Sequence, residues 1–180
     1  TVSFSARGQA PGSFMIRGDL PHEELFNSGT FTMGYAFTPT DNILVTHVRH
    51  YSGVKVTIWD DAGQLLASQP VQGQAGVWNE TPLASPIQLQ AGNQYLVAFL
   101  SGGSPYYWRS EVDVKFSHGA VGGSFYSAGD EFPDSPFASG WWLLDLRYEA
   151  IGERVLPIWP SVSANFTGGV WTGNLVVLQG

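Results

Sequence analysis

The chain has 180 residues, a formal net charge of −7 and no cysteine, which excludes disulfide frameworks and thiolate metal sites. Hydrophobic residues make up 43% and charged residues 13%, against a globular average of about 25% charged, so a disordered chain is excluded. Eight Lys and Arg residues are too few to favour nucleic acid as a partner, and the apolar runs are too short for membrane insertion.

Residues 30–100 show mainly the alternation of β-strands. Residues 30–38 and 42–51 are predicted to be strands, followed by a hairpin in which 54–60 and 64–68 flank an Asp-Asp-Ala-Gly turn. Two more strands are predicted over 86–90 and 94–100, with the turn Ala91-Gly92-Asn93 between them.

The second half continues the strand pattern but contains longer loops. Strands are predicted over 106–114, 124–127, 141–149 and 170–178, with a loop over 129–140 that is rich in Pro and acidic residues. These features predict an all-β, antiparallel β-sandwich of the jelly-roll or immunoglobulin-like kind. We expect residues 1–150 to form the sandwich. Residues 151–180 are expected to form an extended connector and terminal strand, or the start of a neighbouring module.

Three sequence stretches resemble a known bacterial family: GTFTMGYAFTPTDNILVTHVRHYSG, VKVTIWDDAGQLLAS and GVWNETPLASPIQLQAGNQYLVAF. That family consists of secreted β-sandwich modules catalogued as a domain of unknown function, and the resemblance covers residues 29–148. It implies a non-catalytic accessory module of a large multidomain exported or cell-surface protein. It supplies no catalytic residues and no ligand.

Aromatic residues are the clearest functional signal in the sequence itself. Most of them are predicted to fill the core, including Phe37, Trp59, Tyr95, Phe99 and Tyr148. Consecutive residues of a strand face opposite sides, however, so the four large residues 106–109 cannot all point inward, and neither can both Trp141 and Trp142. The predicted ligand-binding residues are Tyr106, Tyr107, Trp108, Arg109, Trp141 and Asp130. The alternative is that the 129–140 loop covers these rings.

Acidic residues of the same loop suggest a second kind of site. Asp130, Glu131 and Asp134 gather the hard oxygen ligands that Ca²⁺ prefers, although the spacing matches no EF-hand, and we expect calcium here as a candidate ligand. Neither the histidines nor any nucleophile motif predicts catalysis, so the chain is not expected to be an enzyme.

The leading hypothesis is a carbohydrate-binding module whose partners are a polysaccharide and the neighbouring domains of the same polypeptide. Exposed aromatic faces can stack on sugar rings while polar neighbours bind the hydroxyls. One alternative is a structural spacer or adhesion module without a small-molecule ligand. Another is a glycan-active hydrolase, which requires two carboxylates at catalytic separation across a cleft. The expected location is the bacterial cell surface or the medium.

Overall fold

The computed structural model describes residues 13–26, 29–110, 114–138, 140–151, 165–167 and 170–172. Within these ranges every assigned element of secondary structure is a β-strand. The described residues contain no helix that is long and apolar enough to cross a membrane. In chain order the strands are β1 (Ser13–Met15), β2 (Glu24–Phe26), β3 (Phe31–Pro39), β4 (Asn42–His50), β5 (Lys55–Asp60), β6 (Leu65–Pro70), β7 (Asn79–Leu89), β8 (Tyr95–Leu100), β9 (Tyr106–Arg109), β10 (Lys115–Phe116), β11 (Gly119–Ala128), β12 (Ser135–Pro136), β13 (Trp141–Trp142), β14 (Leu144–Ile151), β15 (Asn165–Thr167) and β16 (Val170–Thr172).

Two antiparallel sheets form the layers of a β-sandwich. One has the strand order β1-β14-β4-β7, and the other runs β10-β11-β3-β8-β5-β6 with β12 paired to β11. The predicted hairpin is β5 and β6, and the Asp60 side chain stabilises its turn by accepting hydrogen bonds from the amides of Ala62 and Gln64. The all-β, antiparallel sandwich predicted from the sequence is confirmed.

The core lies between these sheets and is filled by alternate side chains. In β3 the inner positions are Met33, Tyr35 and Phe37, as the alternation predicts. The four-stranded sheet contributes mainly aliphatic side chains and one buried tyrosine: Ile43, Val45, Val48, Leu83, Leu89, Leu144, Leu146 and Tyr148. The core assignment is wrong for Trp59, because Val56 and Ile58 take the inner face of β5 and Trp59 therefore lies outside, with its ring 5.6 Å from that of Phe132.

A third, small sheet has the strand order β13-β9-β2. The strand predicted over 106–114 is observed as Tyr106–Arg109, and residues 111–113 lie outside the described part of the chain. The strand predicted over 141–149 is two strands in different sheets, because the chain leaves the small sheet after Trp142 and enters the four-stranded sheet at Leu144. This small sheet carries most of the predicted site residues.

Buried charges fasten the segment that precedes β2 to the sandwich. Asp145 is fully buried and accepts hydrogen bonds from the amides of Ile16 at 3.1 Å and Gly18 at 2.9 Å, and from Arg49 Nη1 at 2.9 Å. Arg49 also forms an ion pair with Asp19 of the same segment. Burial raises the pKa of the Asp145 carboxyl, while its amide hydrogen bonds and the Arg49 charge act in the opposite direction.

The C-terminal part of the chain is described only as a short hairpin. β15 and β16 pair antiparallel from Asn165↔Thr172 to Thr167↔Val170. Residues 152–164 of the expected connector, and residues 173–178 of the predicted final strand, lie outside the described residues. The division into segments 1–150 and 151–180 stays a prediction.

Candidate functional site: an aromatic pocket and its surroundings

The small sheet has two faces, and its register decides which aromatic residue lies on which. Trp141 pairs with Arg109, and Leu25 pairs with Tyr107, so these four side chains share one face. Tyr106, Trp108 and Trp142 share the other face. The prediction that the consecutive large residues of β9 split between two faces is confirmed.

The face that carries Tyr106 contributes to a concave aromatic pocket of about 200 Å³. We call it the aromatic pocket; its lining residues are Phe31, Met33, Tyr106, Tyr126, Phe137 and Trp142. Tyr126 is 38% exposed, whereas Tyr106 is only 8% exposed. The ring of Tyr106 lies 6.0 Å from those of Phe31 and Trp142, in edge-to-face contacts. Five aromatic rings therefore surround an opening that one exposed tyrosine borders.

The loop over residues 129–138 covers part of this face; we call it the covering loop. Its Phe137 stacks on Trp142 with ring centroids 4.4 Å apart and meets Trp108 edge-to-face at 5.7 Å. Trp108 is also covered by Gly140, where a Cβ atom would lie 2.2 Å from the indole. The alternative expected from the sequence, that the loop covers the rings, thus holds for Trp108 and Trp142, while Tyr126 stays exposed.

The opposite face of the small sheet carries Tyr107 in a second aromatic cluster. Its ring lies 5.0 Å from that of His22 and 5.1 Å from that of Tyr51, in both cases edge-on. Beside it, Arg109 donates to the Pro21 carbonyl at 2.7 Å and forms an ion pair with Glu23. Tyr107 is therefore half-buried and packs against aromatic rings of two other segments.

Glu23 and Arg109 are engaged in holding the segment before β2. Glu23 accepts hydrogen bonds from the amide and the hydroxyl of Ser110 at 2.7 and 2.6 Å. These hydrogen bonds, with a smaller contribution from Arg109, lower the pKa of Glu23 below its usual range. Arg109, predicted as a polar partner for a ligand, therefore acts in the structure as a fastening for residues 21–23.

Trp141 is half-buried and packs toward the core rather than standing free. Its ring lies 6.5 Å from that of Tyr35, and the Arg17 guanidinium lies 5.4 Å from its centroid. Burial lowers the pKa of Arg17, although the nearby Asp145 carboxylate opposes that shift. Trp142 is buried in the core, whereas Trp141 is only partly buried at its edge.

A second pocket, of about 170 Å³, lies on the outer face of the larger sheet. We call it the acidic pocket; its lining residues are Ala36, Asp60, Asp61, Gln94, Tyr95, Leu96, Phe125, Phe132, Pro133 and Asp134. Phe132, Pro133 and Asp134 belong to the covering loop, and Asp60 and Asp61 belong to the β5–β6 turn. Neither the turn nor the loop was predicted to meet the other.

Two of the three acids for which calcium was expected use their carboxylates in separate contacts, and Glu131 is held by its backbone amide. Asp130 forms an ion pair with Lys55, the amide of Glu131 donates to Thr32 Oγ1 at 3.3 Å, and Asp134 accepts from Ser135 Oγ at 3.2 Å. In the part of the chain that the structure describes, no three His, Asp or Glu side chains are placed to hold one metal ion. The geometry lends the calcium prediction no support. Asp130, which was also predicted to bind a ligand beside the aromatic residues, forms an ion pair with Lys55 and does not line the aromatic pocket.

Sequence reasoning missed two residues that complete the aromatic pocket. Tyr126 and Phe137 occur in short apolar groups, SFYS and SPFA, that carry no motif. Their alternation did hold a usable signal: in a strand over 124–127, Phe125 and Tyr126 must face opposite sides. Which side meets Tyr106 depends on long-range packing, which the sequence pattern does not specify.

These features define a class of protein, an all-β sandwich module with aromatic clusters at its surface. The family model described as Domain of unknown function (DUF4082) matches residues 19–143, most of the chain, and the chain belongs to that family. The family resemblance seen over residues 29–148 is thereby confirmed. No curated protein matches the sequence.

Proposed function

We propose that the chain is a non-catalytic accessory module that binds glycans through the aromatic pocket, as part of a multidomain bacterial protein exported to the cell surface or medium. The observation that carries this proposal is the ring of five aromatic side chains around one opening, with Tyr126 exposed at its border. A concave, mostly apolar pocket with a few polar groups is the usual form of a small-ligand site.

The chemistry of the pocket suits one face of a pyranose ring. The C–H groups of a sugar present an apolar surface that an aromatic face can cover, and that contact removes apolar area from water at about 25 cal/mol per Å². A volume of about 200 Å³ matches one monosaccharide unit rather than a longer stretch of chain. Hydroxyl groups of the sugar would point outward, because the inner wall at Met33 and Trp142 is apolar and buried.

Replacement of Tyr126 by alanine tests this proposal. A glycan array first identifies a ligand, and isothermal titration calorimetry then compares its affinity for the wild-type protein and for Tyr126→Ala. We expect the variant to bind at least tenfold more weakly, because it loses the exposed ring that borders the pocket.

A matched tyrosine supplies the control. Tyr107→Ala removes a half-buried ring from the opposite face of the small sheet, and we expect it to change the affinity less than threefold. If no glycan on the array binds, or if Tyr107→Ala weakens binding more than Tyr126→Ala does, the proposed site is wrong.

A structural spacer is the second candidate, and one specific observation favours it. Phe137 already stacks on Trp142 at 4.4 Å, so the covering loop fills part of the space that a ligand would use. A spacer would show no ligand on the array and would gain stability when its neighbouring domain is attached.

A further inference from the structure

The acidic pocket is lined by three aspartate side chains. Asp60, Asp61 and Asp134 line it together with the neutral Gln94, and none of its ten lining residues is Lys or Arg. Within the described ranges these three carboxylates form no ion pair, in contrast to Asp130, which is paired with Lys55. The pocket therefore favours a positively charged occupant on electrostatic grounds.

The size and the walls of the pocket indicate what kind of cation fits. A bare metal ion needs several ligands converging on one point, and no such group of three occurs among the described residues. A volume of about 170 Å³ suits a ring-sized organic molecule instead. Phe125 and Phe132, both half-buried, offer aromatic surface, which attracts both sugar C–H groups and an ammonium group.

We propose that the acidic pocket binds a protonated amino sugar, a sugar unit whose free amine carries a positive charge. The carboxylates of Asp61 and Asp134 would face the ammonium group, and Phe132 would face the ring. The choice of a sugar as the body of this cation rests on the proposed glycan-binding function. The positive charge rests on the pocket alone.

This site is distinct from the aromatic pocket. Phe125 and Tyr126 are consecutive residues of β11 and point to opposite faces of the sheet, Phe125 into the acidic pocket and Tyr126 into the aromatic pocket. The covering loop behaves the same way, since Phe132 lines one pocket and Phe137 the other. Substitutions can therefore address each pocket separately.

The experiment compares D-glucosamine with D-glucose and N-acetyl-D-glucosamine, at a pH at which the free amine is protonated. Binding is followed by amide shifts in NMR spectra of the full chain. The variant is Asp61→Asn/Asp134→Asn, two exposed positions; Asp60 is left intact because it holds the hairpin turn. Asp41→Asn, an exposed acid that does not line this pocket, controls for the loss of charge.

We expect glucosamine to shift the amides of Asp61, Gln94 and Phe132, with an affinity at least tenfold higher than that of either neutral sugar. The double variant should lose at least tenfold in glucosamine affinity, and Asp41→Asn less than twofold. Equal binding of the three sugars, or an unchanged affinity in the double variant, would overturn the proposal.

The two proposals fail separately. Loss of neutral-glycan binding in Tyr126→Ala with no glucosamine shifts at Asp61 would leave the proposed function standing and remove the amino-sugar site. Glucosamine shifts at Asp61 that persist in Tyr126→Ala, with no glycan dependent on Tyr126, would retain the amino-sugar site and remove the aromatic one.

Discussion

His50 is a buried histidine held in one tautomer. It is 1% exposed, and its Nδ1 donates a hydrogen bond to the Ser52 carbonyl at 3.1 Å. Its Nε2 has no hydrogen-bond partner among the described residues, so a proton added there would be buried without an acceptor. Burial accordingly lowers the pKa of His50.

This arrangement predicts a loss of stability in mild acid. The unfolded imidazole takes up a proton near pH 6.5, whereas the folded one does so only at lower pH, so below pH 6.5 the unfolded state binds more protons. The contribution of His50 to the free energy of unfolding should therefore be fully present above pH 6.5. It should fall by at most about 1.4 kcal/mol per pH unit as the pH drops towards the folded-state pKa. Denaturant unfolding at pH 7.5 and pH 5.5 measures this loss.

Two substitutions isolate the contribution of His50. His50→Asn keeps a donor for the Ser52 carbonyl but does not titrate, so its stability should change less between the two pH values than that of the wild-type protein. His22→Asn, at an exposed histidine, should retain the wild-type loss. Equal pH dependence in the wild-type protein and His50→Asn would show that His50 is not the titrating group.

The burial of single polar residues such as His50 could not be predicted from the sequence. Nothing in the stretch LLDLRY distinguishes Asp145 from a surface acid, yet it accepts hydrogen bonds from residues about 130 positions away. Nothing in the sequence pattern singles out Arg49 either, although its guanidinium lies 4.9 Å from the centroid of Trp78 and forms an ion pair with Asp145. Such partners are set by tertiary contacts, which local periodicity does not encode.

At the scale of elements, the covering loop is the part that shapes both pockets. Phe137 seals Trp108 and Trp142 on one side, and Phe132 lies against Trp59 on the other. The loop is held to the larger sheet by β12, where Tyr126 pairs with Ser135, and by the Phe137 amide, which donates to the Ser124 carbonyl at 2.7 Å. The sequence indicated a long loop here but not its two contacts.

Truncation of Phe137 should uncover two tryptophans. Phe137→Ala removes a half-buried ring, so we expect a loss of about 2 kcal/mol in the free energy of unfolding, less than the 3–5 kcal/mol typical of fully buried phenylalanines. Acrylamide quenching of tryptophan fluorescence should increase at the same time, because Trp108 and Trp142 lose their cover. Both quantities are measured on the folded variant below its unfolding transition.

The neighbouring phenylalanine of the same loop gives a matched control. In a Trp59→Phe background, Phe132→Ala should leave quenching unchanged, because Phe132 covers only Trp59 among these three tryptophans. Phe137→Ala in the same background should still raise it. Equal quenching in the two variants would contradict the assignment of Phe137 as the cover of Trp108 and Trp142.

Strands were predictable where one face is buried, and less so at sheet edges. β3, β5 and β8 lie inside the larger sheet, and their alternating core residues match the predicted strands within about two residues. β7 was predicted only over its last residues because Pro82 and Pro86 interrupt the pattern. It lies at the edge of the four-stranded sheet, where a missing amide donor costs least. β1 and β2 have three residues each, too few for a period to show.

For the whole molecule, the family and the fold class followed from hairpin and core signatures that repeat along the chain. The candidate site did not follow in the same way. Of the predicted ligand-binding residues only Tyr106 lines the aromatic pocket, while Tyr107, Arg109 and Trp141 lie on the other face of the small sheet and Trp108 is covered. The aromatic composition correctly indicated a surface feature, but its position depends on how three sheets meet.

NMR mapping with the best oligosaccharide from the array tests the proposed binding of glycans at the aromatic pocket. We expect the largest amide shifts on Tyr126 and Phe137. The indole N–H of Trp142, which donates to the Phe125 carbonyl at 2.8 Å, should shift with them. Shifts centred instead on His22, Tyr51 and Tyr107, with Tyr126 and Trp142 unchanged, would contradict it.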